Sequence, residues 1–313
     1  MSALALLLHA ALMLAAAPVV VGLARRLKAR LMGRQGPPVL QPWRDLLRLC
    51  RKQPMMAEAA SPLFRIAPFV QIGAIGAAAL LVPSFTLGML TAPLADLLAI
   101  GGLLAVARVA LALAALDAGT AFGGIGASRA MMFGSFAEPA LLLVILTLAV
   151  IGGGTNLVAI AAVLQGGPAV LRVSLGLALL ALLAVALVEN GRIPADNPAT
   201  HLELTMVHEA MVLDYAGRDL ALIELAGGLK LLVWLDLIAT AFFPFGIGTA
   251  GAAGWVPGLA AWAVKVLVLT TGLAAMESAI AKMRVFRVPE FLGVAILLGL
   301  LAAVFLFLTQ GFV

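Results

Sequence analysis

The stretch LADLLAIGGLLAVARVALALAAL, residues 94–116, decides the fold. It is apolar for longer than the ~20 residues that carry a helix across a bilayer, yet Arg108 sits in its interior. Seven more segments share this character, at 3–24, 66–90, 130–152, 168–188, 220–245, 256–281 and 289–309. The 313 residues are 64% hydrophobic and 11% charged, against about 25% charged for soluble globular chains. That excludes a soluble fold. The reading is an all-α polytopic membrane protein, a single membrane domain over 1–313 with about eight transmembrane helices and amphipathic interfacial helices in its loops.

Between the eight spans, loops 25–65, 117–129, 189–219 and 282–288 fall on one side. They hold sixteen of the twenty Lys and Arg, and the opposite loops hold only Arg172. By the positive-inside rule these four loops are cytoplasmic and both termini lie outside. The net charge of +5 then reflects loops facing anionic headgroups, and no nucleic-acid partner is expected. The first apolar run ends in Ala15-Ala16-Ala17-Pro18, but its basic residues (Arg25, Arg26, Lys28, Arg30) follow it. A cleaved secretory signal has the reverse order, so an uncleaved first span is expected.

Charges fall inside the spans, among them Arg108, Glu138, Glu224, Lys230, Asp236, Lys265 and Glu277, with Asp117 and Glu189 at inner ends. Each costs about 2.5–3.5 kcal/mol at mid-bilayer. Helical neighbours lie three or four residues apart. Glu224–Lys230 and Lys230–Asp236 are six apart, Arg108–Asp117 nine and Lys265–Glu277 twelve. Their partners must therefore come from other helices, water-filled cavities or partner subunits. As a set they read as a proton or ion route, in which Arg108 is a fixed charge because guanidinium does not deprotonate.

Two loops carry pattern. After Gln41-Pro42, residues Trp43, Leu46, Leu47 and Cys50 share a helical face, with Arg44, Asp45, Arg48, Arg51 and Lys52 off it. Such a helix lies in the membrane interface or docks a partner. In 189–219, Asn197-Pro198 is a helix start and Asp214-Tyr215-Ala216-Gly217 a stop capped by Gly. Between them His201, Thr205, His208 and Glu209 share one face. His201 and His208 are two turns apart, about 10 Å. They read as polar docking contacts with proton-relay capacity, and no metal site is expected. His9 reads as a hydrogen-bonded structural residue. Gly152-Gly153-Gly154 and Gly166-Gly167-Pro168 read as turns bracketing an outer loop, and Gly123, Gly124 and Gly126 are placed in an inner loop.

The segment Glu189 to Asp196, with Arg192 and Pro194, then Glu203, Leu204, Tyr215 and Gly217, resembles the loop signature of the complex I subunit 1 family, which includes the corresponding membrane subunit of NADH:quinone oxidoreductase. The first loop is similar through Arg34, Gly36, Pro37, Leu40, Gln41, Pro42 and Asp45 to Leu49. So is Ile125 to Ala130, with Arg129, and with Glu138 eight residues beyond. Two loop carboxylates of the quinone-reducing members are Ala199 and His201 here. The run Pro198 to Met211 instead resembles the hydrogenase-4 component C and formate hydrogenlyase subunit 4 branch.

That resemblance implies a membrane anchor and coupling subunit of a group 4 [NiFe]-hydrogenase complex in the bacterial inner membrane. Cytoplasmic NiFe-hydrogenase-like and iron–sulfur subunits and antiporter-like membrane subunits are the implied partners. The NiFe centre and clusters would reside in those subunits, since this chain has one cysteine, Cys50. It would hold no cofactor and no catalytic residue of its own. The implied ion-transfer residues are Glu138, Glu189, Asp196, Glu203, Glu209, Asp117, Glu224, Lys230, Asp236, Lys265, Glu277 and Arg108. Docking falls to Arg34, Gly36, Pro37, Gln41, Asp45, Arg129, Arg192, Pro194, His201, His208 and Tyr215. Two alternatives stand beside this: a quinone-binding subunit of a complex I-like oxidoreductase, and a stand-alone secondary transporter.

Overall fold

The computed structural model describes residues 2–55, 60–166, 173–196, 206–248 and 251–310. Within them the chain is helical: α1 (Ser2–Leu31), α2 (Gln41–Cys50), α3 (Pro62–Leu81), α4 (Leu97–Asp117), α5 (Ala121–Gly152), α6 (Leu157–Gly166), α7 (Val173–Glu189), α8 (His208–Val212), α9 (Gly217–Phe242), α10 (Trp255–Ala279) and α11 (Val288–Gln310). Two isolated bridges, Thr86 with Gly248 and Asp96 with Asn156, are the β structure among the described residues. Among the described residues, six segments are long and apolar enough to cross a membrane: α1, α3, α4, α5, α10 and the stretch Val285–Thr309. The protein is a multi-pass membrane protein.

The two remaining expected spans behave differently. Segment 168–188 corresponds to α7, apolar but only 17 residues long. Segment 220–245 corresponds to α9, which has the length but carries Arg218, Asp219, Glu224, Lys230 and Asp236. Helix α9 is buried along both halves and packs on α1, α2, α3, α6, α7 and α10. Charges are tolerated there because neighbouring helices, not lipid, surround it. Around it α3 packs on α4, α4 on α5, and α5 and α7 on α11.

Several boundaries differ from the sequence reading, each for a local reason. The 66–90 segment stops being helical at Leu81: Val82, which precedes Pro83, is extended, as a residue before proline prefers. The freed chain turns back across the end of the bundle, where Thr240 donates to the Pro83 carbonyl (2.9 Å) and Gly248 to the Phe85 carbonyl (2.9 Å). Asp96 ends this segment as the N-cap of α4, accepting from Leu98 at 2.7 Å. The 117–129 loop shrinks to a turn, because Thr120 caps α5 by accepting from Gly123. Gly123, Gly124 and Gly126 are therefore helical. The loop after Gly153 contains α6; Gly153 itself is left-handed (φ 72°) and ends α5 as expected.

The 189–219 loop also departs from the reading. Its expected helix start at Asn197-Pro198, with His201, Glu203 and Thr205, lies outside the described residues. Met206 and Val207 are not helical, and α8 begins only at His208. Asp196 accepts from the Val207 amide (3.2 Å), and Arg129 donates to the Met206 carbonyl (3.1 Å), so side chains hold both backbone groups. Gly217 does not cap α8, which ends at Val212; it opens α9 instead. Its φ is +59°, and a Cβ there would lie 2.4 Å from the Gln53 carbonyl oxygen, so glycine is required twice over.

Helix α2 splits its apolar stripe. Leu46 is buried and Trp43 donates to the Ala15 carbonyl of α1 (3.2 Å), while Leu47 and Cys50 remain exposed. His9 is fully buried on α1, bonded to Ser84 Oγ and the Ala79 carbonyl, each at 2.8 Å. It closes α1 onto the end of α3. A His9→Leu substitution leaves both partners buried and unpaired, a loss of about 1–3 kcal/mol. The expected result is a lower thermal midpoint for the purified protein.

Candidate functional site

Four helices deliver one charged group each to a common point. Arg108 of α4 donates through Nη1 to Glu189 at the end of α7, and through Nη2 to Glu138 of α5. Lys230 of α9 donates to Glu189 Oε2 (2.8 Å) and to the Glu189 backbone carbonyl (2.7 Å). Glu189 thus accepts from two cations on opposite sides, with 7% of its side chain exposed. Glu138 differs: half of its side chain (51%) is exposed at the outer face of the bundle. The intrahelical spacings left other helices, water-filled cavities or partner subunits as the source of partners; for Arg108, Glu138, Glu189 and Lys230 the partners come from other helices.

A cavity of about 100 Å³ opens against this cluster. Gln71, Arg108, Glu189, Asp196, His208 and Lys230 contribute to its wall. Gln71 Oε1 and Arg108 Nε are buried there without a hydrogen-bond partner. A cavity that carries these polar groups in a largely apolar wall, with one orphaned acceptor, one orphaned donor and room for several molecules, meets the conditions for internal water beside those groups.

The loop after α7 forms the next layer. Asp196 is 4% exposed and accepts from Lys282 Nζ at 3.0 Å as well as from Val207. Glu277 of α10 accepts from Lys28 of α1 (2.9 Å) and Arg192 (3.5 Å), tying three segments together. Lys28, Arg192, Asp196 and Glu277 face a wider cleft of about 540 Å³, which Arg25, Arg34, Glu209 and Glu224 also line. Asp196 and His208 line both the cleft and the inner cavity, so they stand between the two. The chain therefore places a string of ionisable groups from the basic end of the bundle to Glu138.

His208 begins α8 within this wall. Burial, reinforced by the charge of Lys230, pushes its pKa down to about 4 from 6.5. It is neutral in the folded chain near pH 7. In the unfolded chain it takes up a proton below 6.5, so the unfolded state binds more protons between pH 6.5 and about 4. Stability therefore falls as pH drops through that window, by up to about 1.4 kcal/mol per pH unit from this group. A thermal midpoint measured against pH is expected to show that decline, and His208→Gln to remove this share of it.

Other expected residues lie apart from the cluster. Asp236 accepts from Trp262 Nε1 (2.8 Å) and faces Lys265 of α10, six residues further along α9 than Lys230. Asp117 accepts from the Ser61 amide (2.9 Å) and so fastens the entry to α3. Of the expected docking residues, several make contacts within the chain. Tyr215 donates to the Phe64 carbonyl (2.9 Å) and stacks on its ring at 3.9 Å; Gln41 donates to Asp45; the Pro194 carbonyl accepts from Met283. Glu203 and His201 lie outside the described residues.

Four participants were missed in sequence. Lys28 and Lys282 were counted only as orientation charges, and nothing in their neighbourhood separates them from the other basic residues beside the spans. Gln71 did carry a signal, as a polar residue inside an apolar segment. Trp262 lies within an apolar span, and nothing in its local sequence marks a partner.

Residues 3–309 match the NADH dehydrogenase family. Formate hydrogenlyase subunit 4 of Escherichia coli (strain K12) is 33% identical over 291 residues, covering 93% of this chain and 94% of that one. Hydrogenase-4 component C of the same organism is 32% identical, covering 96% and 94%. Among solved structures, the membrane-bound sulfane sulfur reductase, an archaeal respiratory membrane complex, contains a chain that superposes with a TM-score of 0.83. That pair shares 19% identity over 96% of this chain and 99% of the other, which establishes a common fold. The protein is thus a complex I subunit 1-like membrane protein, a member of the NADH dehydrogenase family.

Proposed function

We propose that this chain is the membrane anchor and coupling subunit of a group 4 [NiFe]-hydrogenase-type complex in the bacterial cytoplasmic membrane. It links redox chemistry in a cytoplasmic arm to translocation of protons or sodium ions. The supporting observation is the four-helix charge cluster, joined through a cavity to the loop that carries the family signature. The nickel–iron and iron–sulfur centres belong to partner subunits, because a chain with one exposed cysteine offers no set of thiolate ligands.

In this reading, docked partner subunits act on loops 25–65 and 189–219. A change there moves Asp196 and His208, which wall the cavity. Protons reach Glu189 through cavity water, and Arg108, permanently charged, holds Glu189 and Glu138 within reach of one another. Half-exposed Glu138 then passes the charge to a neighbouring antiporter-like membrane subunit. An exposed carboxylate within a span needs such a neighbour. Both termini lie on the outer side.

Purification of the tagged protein from native membranes tests the assignment. Copurifying subunits that contain nickel and iron are the expected result. A chain that emerges alone contradicts it and favours a stand-alone transporter. The 540 Å³ cleft supports a second reading, a headgroup pocket for a quinone. Quinone-dependent turnover, blocked by a quinone-site inhibitor, would establish that reading.

A further inference from the structure

Gly134 lies on α5 one turn before Glu138, and it is buried. Its backbone is helical, so no left-handed conformation calls for glycine. What surrounds it is specific. A Cβ built on Gly134 would lie 2.7 Å from Arg108 Cζ, 2.7 Å from Arg108 Nε and 3.0 Å from Arg108 Nη2. The three nearest atoms all belong to one guanidinium group. Arg108 starts on α4 and must cross α5 to reach Glu189 on α7, and it does so over the bare backbone at Gly134. The same placement accounts for Arg108 Nε, which faces α5 and has no partner.

We propose that Gly134 is the positioning residue of the Arg108 clamp: its missing side chain lets one guanidinium bridge Glu138 and Glu189. The role in coupling rests on the proposed function, while the geometric role does not. Alanine is the better helix former, so helix stability alone would not select glycine here. A methyl group at 134 meets the far end of a flexible side chain, not backbone. The arginine therefore yields, and the helix packing survives. A Cβ added at Gly102 on α4 would meet nothing within 4 Å, which makes that position the matched control.

The test is a double-mutant cycle in the assembled complex, with Gly134→Ala, Arg108→Ala and both together, and Gly102→Ala as control. Redox-driven ion translocation and its pH profile are read in sealed vesicles. Carboxyl bands are followed by infrared difference spectroscopy across pH. Gly134→Ala is expected to assemble normally, lower translocation at least tenfold and alter the carboxyl bands as Arg108→Ala does. In the Arg108→Ala background it is expected to add nothing. Wild-type behaviour of Gly134→Ala overturns the proposal. So does an equal loss with and without Arg108, which would make Gly134 a packing residue only. If Arg108→Ala leaves translocation intact, the coupling reading falls. The infrared cycle still decides the proposal: matching, non-additive band changes support it, and independent changes overturn it.

Discussion

Arg108→Ala is expected to abolish redox-driven ion translocation and to destabilise the chain by about 3–5 kcal/mol. The size follows from what is left behind. Glu189 is buried and keeps only Lys230, and Glu138 loses its cation within a span. Most of the stability cost belongs to Glu189, because its carboxylate is buried and loses one of its two cations. Glu138, half exposed, contributes less to stability and more to function. Arg108→Lys separates the two effects. An ammonium restores charge but has no planar fork to span two carboxylates. It is expected to recover part of the stability and little of the translocation. Thermal midpoint and translocation per electron, measured on the same preparations, check this.

Glu277→Gln is expected to loosen the basic end of the bundle by about 3 kcal/mol. Glu277 is 6% exposed, and it neutralises Lys28 and Arg192 together. Its loss leaves two partly buried cations facing one another across the wide cleft. Lys28, at the last turn of α1, can extend toward water, which keeps the cost at the low end of the range for a broken buried pair. The tie between α1, α10 and the signature loop is lost all the same. The expected readouts are a lower thermal midpoint and partial loss of cytoplasmic subunits on purification. Full retention of both would show that this triad is dispensable.

How far the sequence carries the reading depends on the type of signal. Apolar length and basic asymmetry locate most of the helices, because the bilayer sets both directly. The charges within spans were legible for a simple reason: Arg108, Glu138 and Lys230 have no same-helix partner, so their partners had to come from other helices, cavities or partner subunits. Which charges meet was not legible. Lys28 reaches Glu277 across 249 positions of sequence, and no local pattern records that distance. Helix α9 shows the converse limit. Its five charges lower its apolarity, yet burial by its neighbours makes it the centre of the bundle. Turn chemistry gave mixed results. Gly153 ends a helix as its residues imply, whereas Gly217 opens one, because the backbone of Gln53 comes close to it. That contact is made by a segment more than 160 residues away.

The central claim is that Glu138 carries the coupling charge from Arg108 toward a neighbouring subunit. The most direct measurement is ion translocation per electron transferred by the intact complex in sealed vesicles, wild type against Glu138→Gln. A glutamine keeps the size and a hydrogen-bonding head but carries no proton. The account predicts normal assembly, retained electron transfer and translocation reduced at least tenfold. A Glu138→Gln complex that assembles normally and translocates at the wild-type ratio would contradict it.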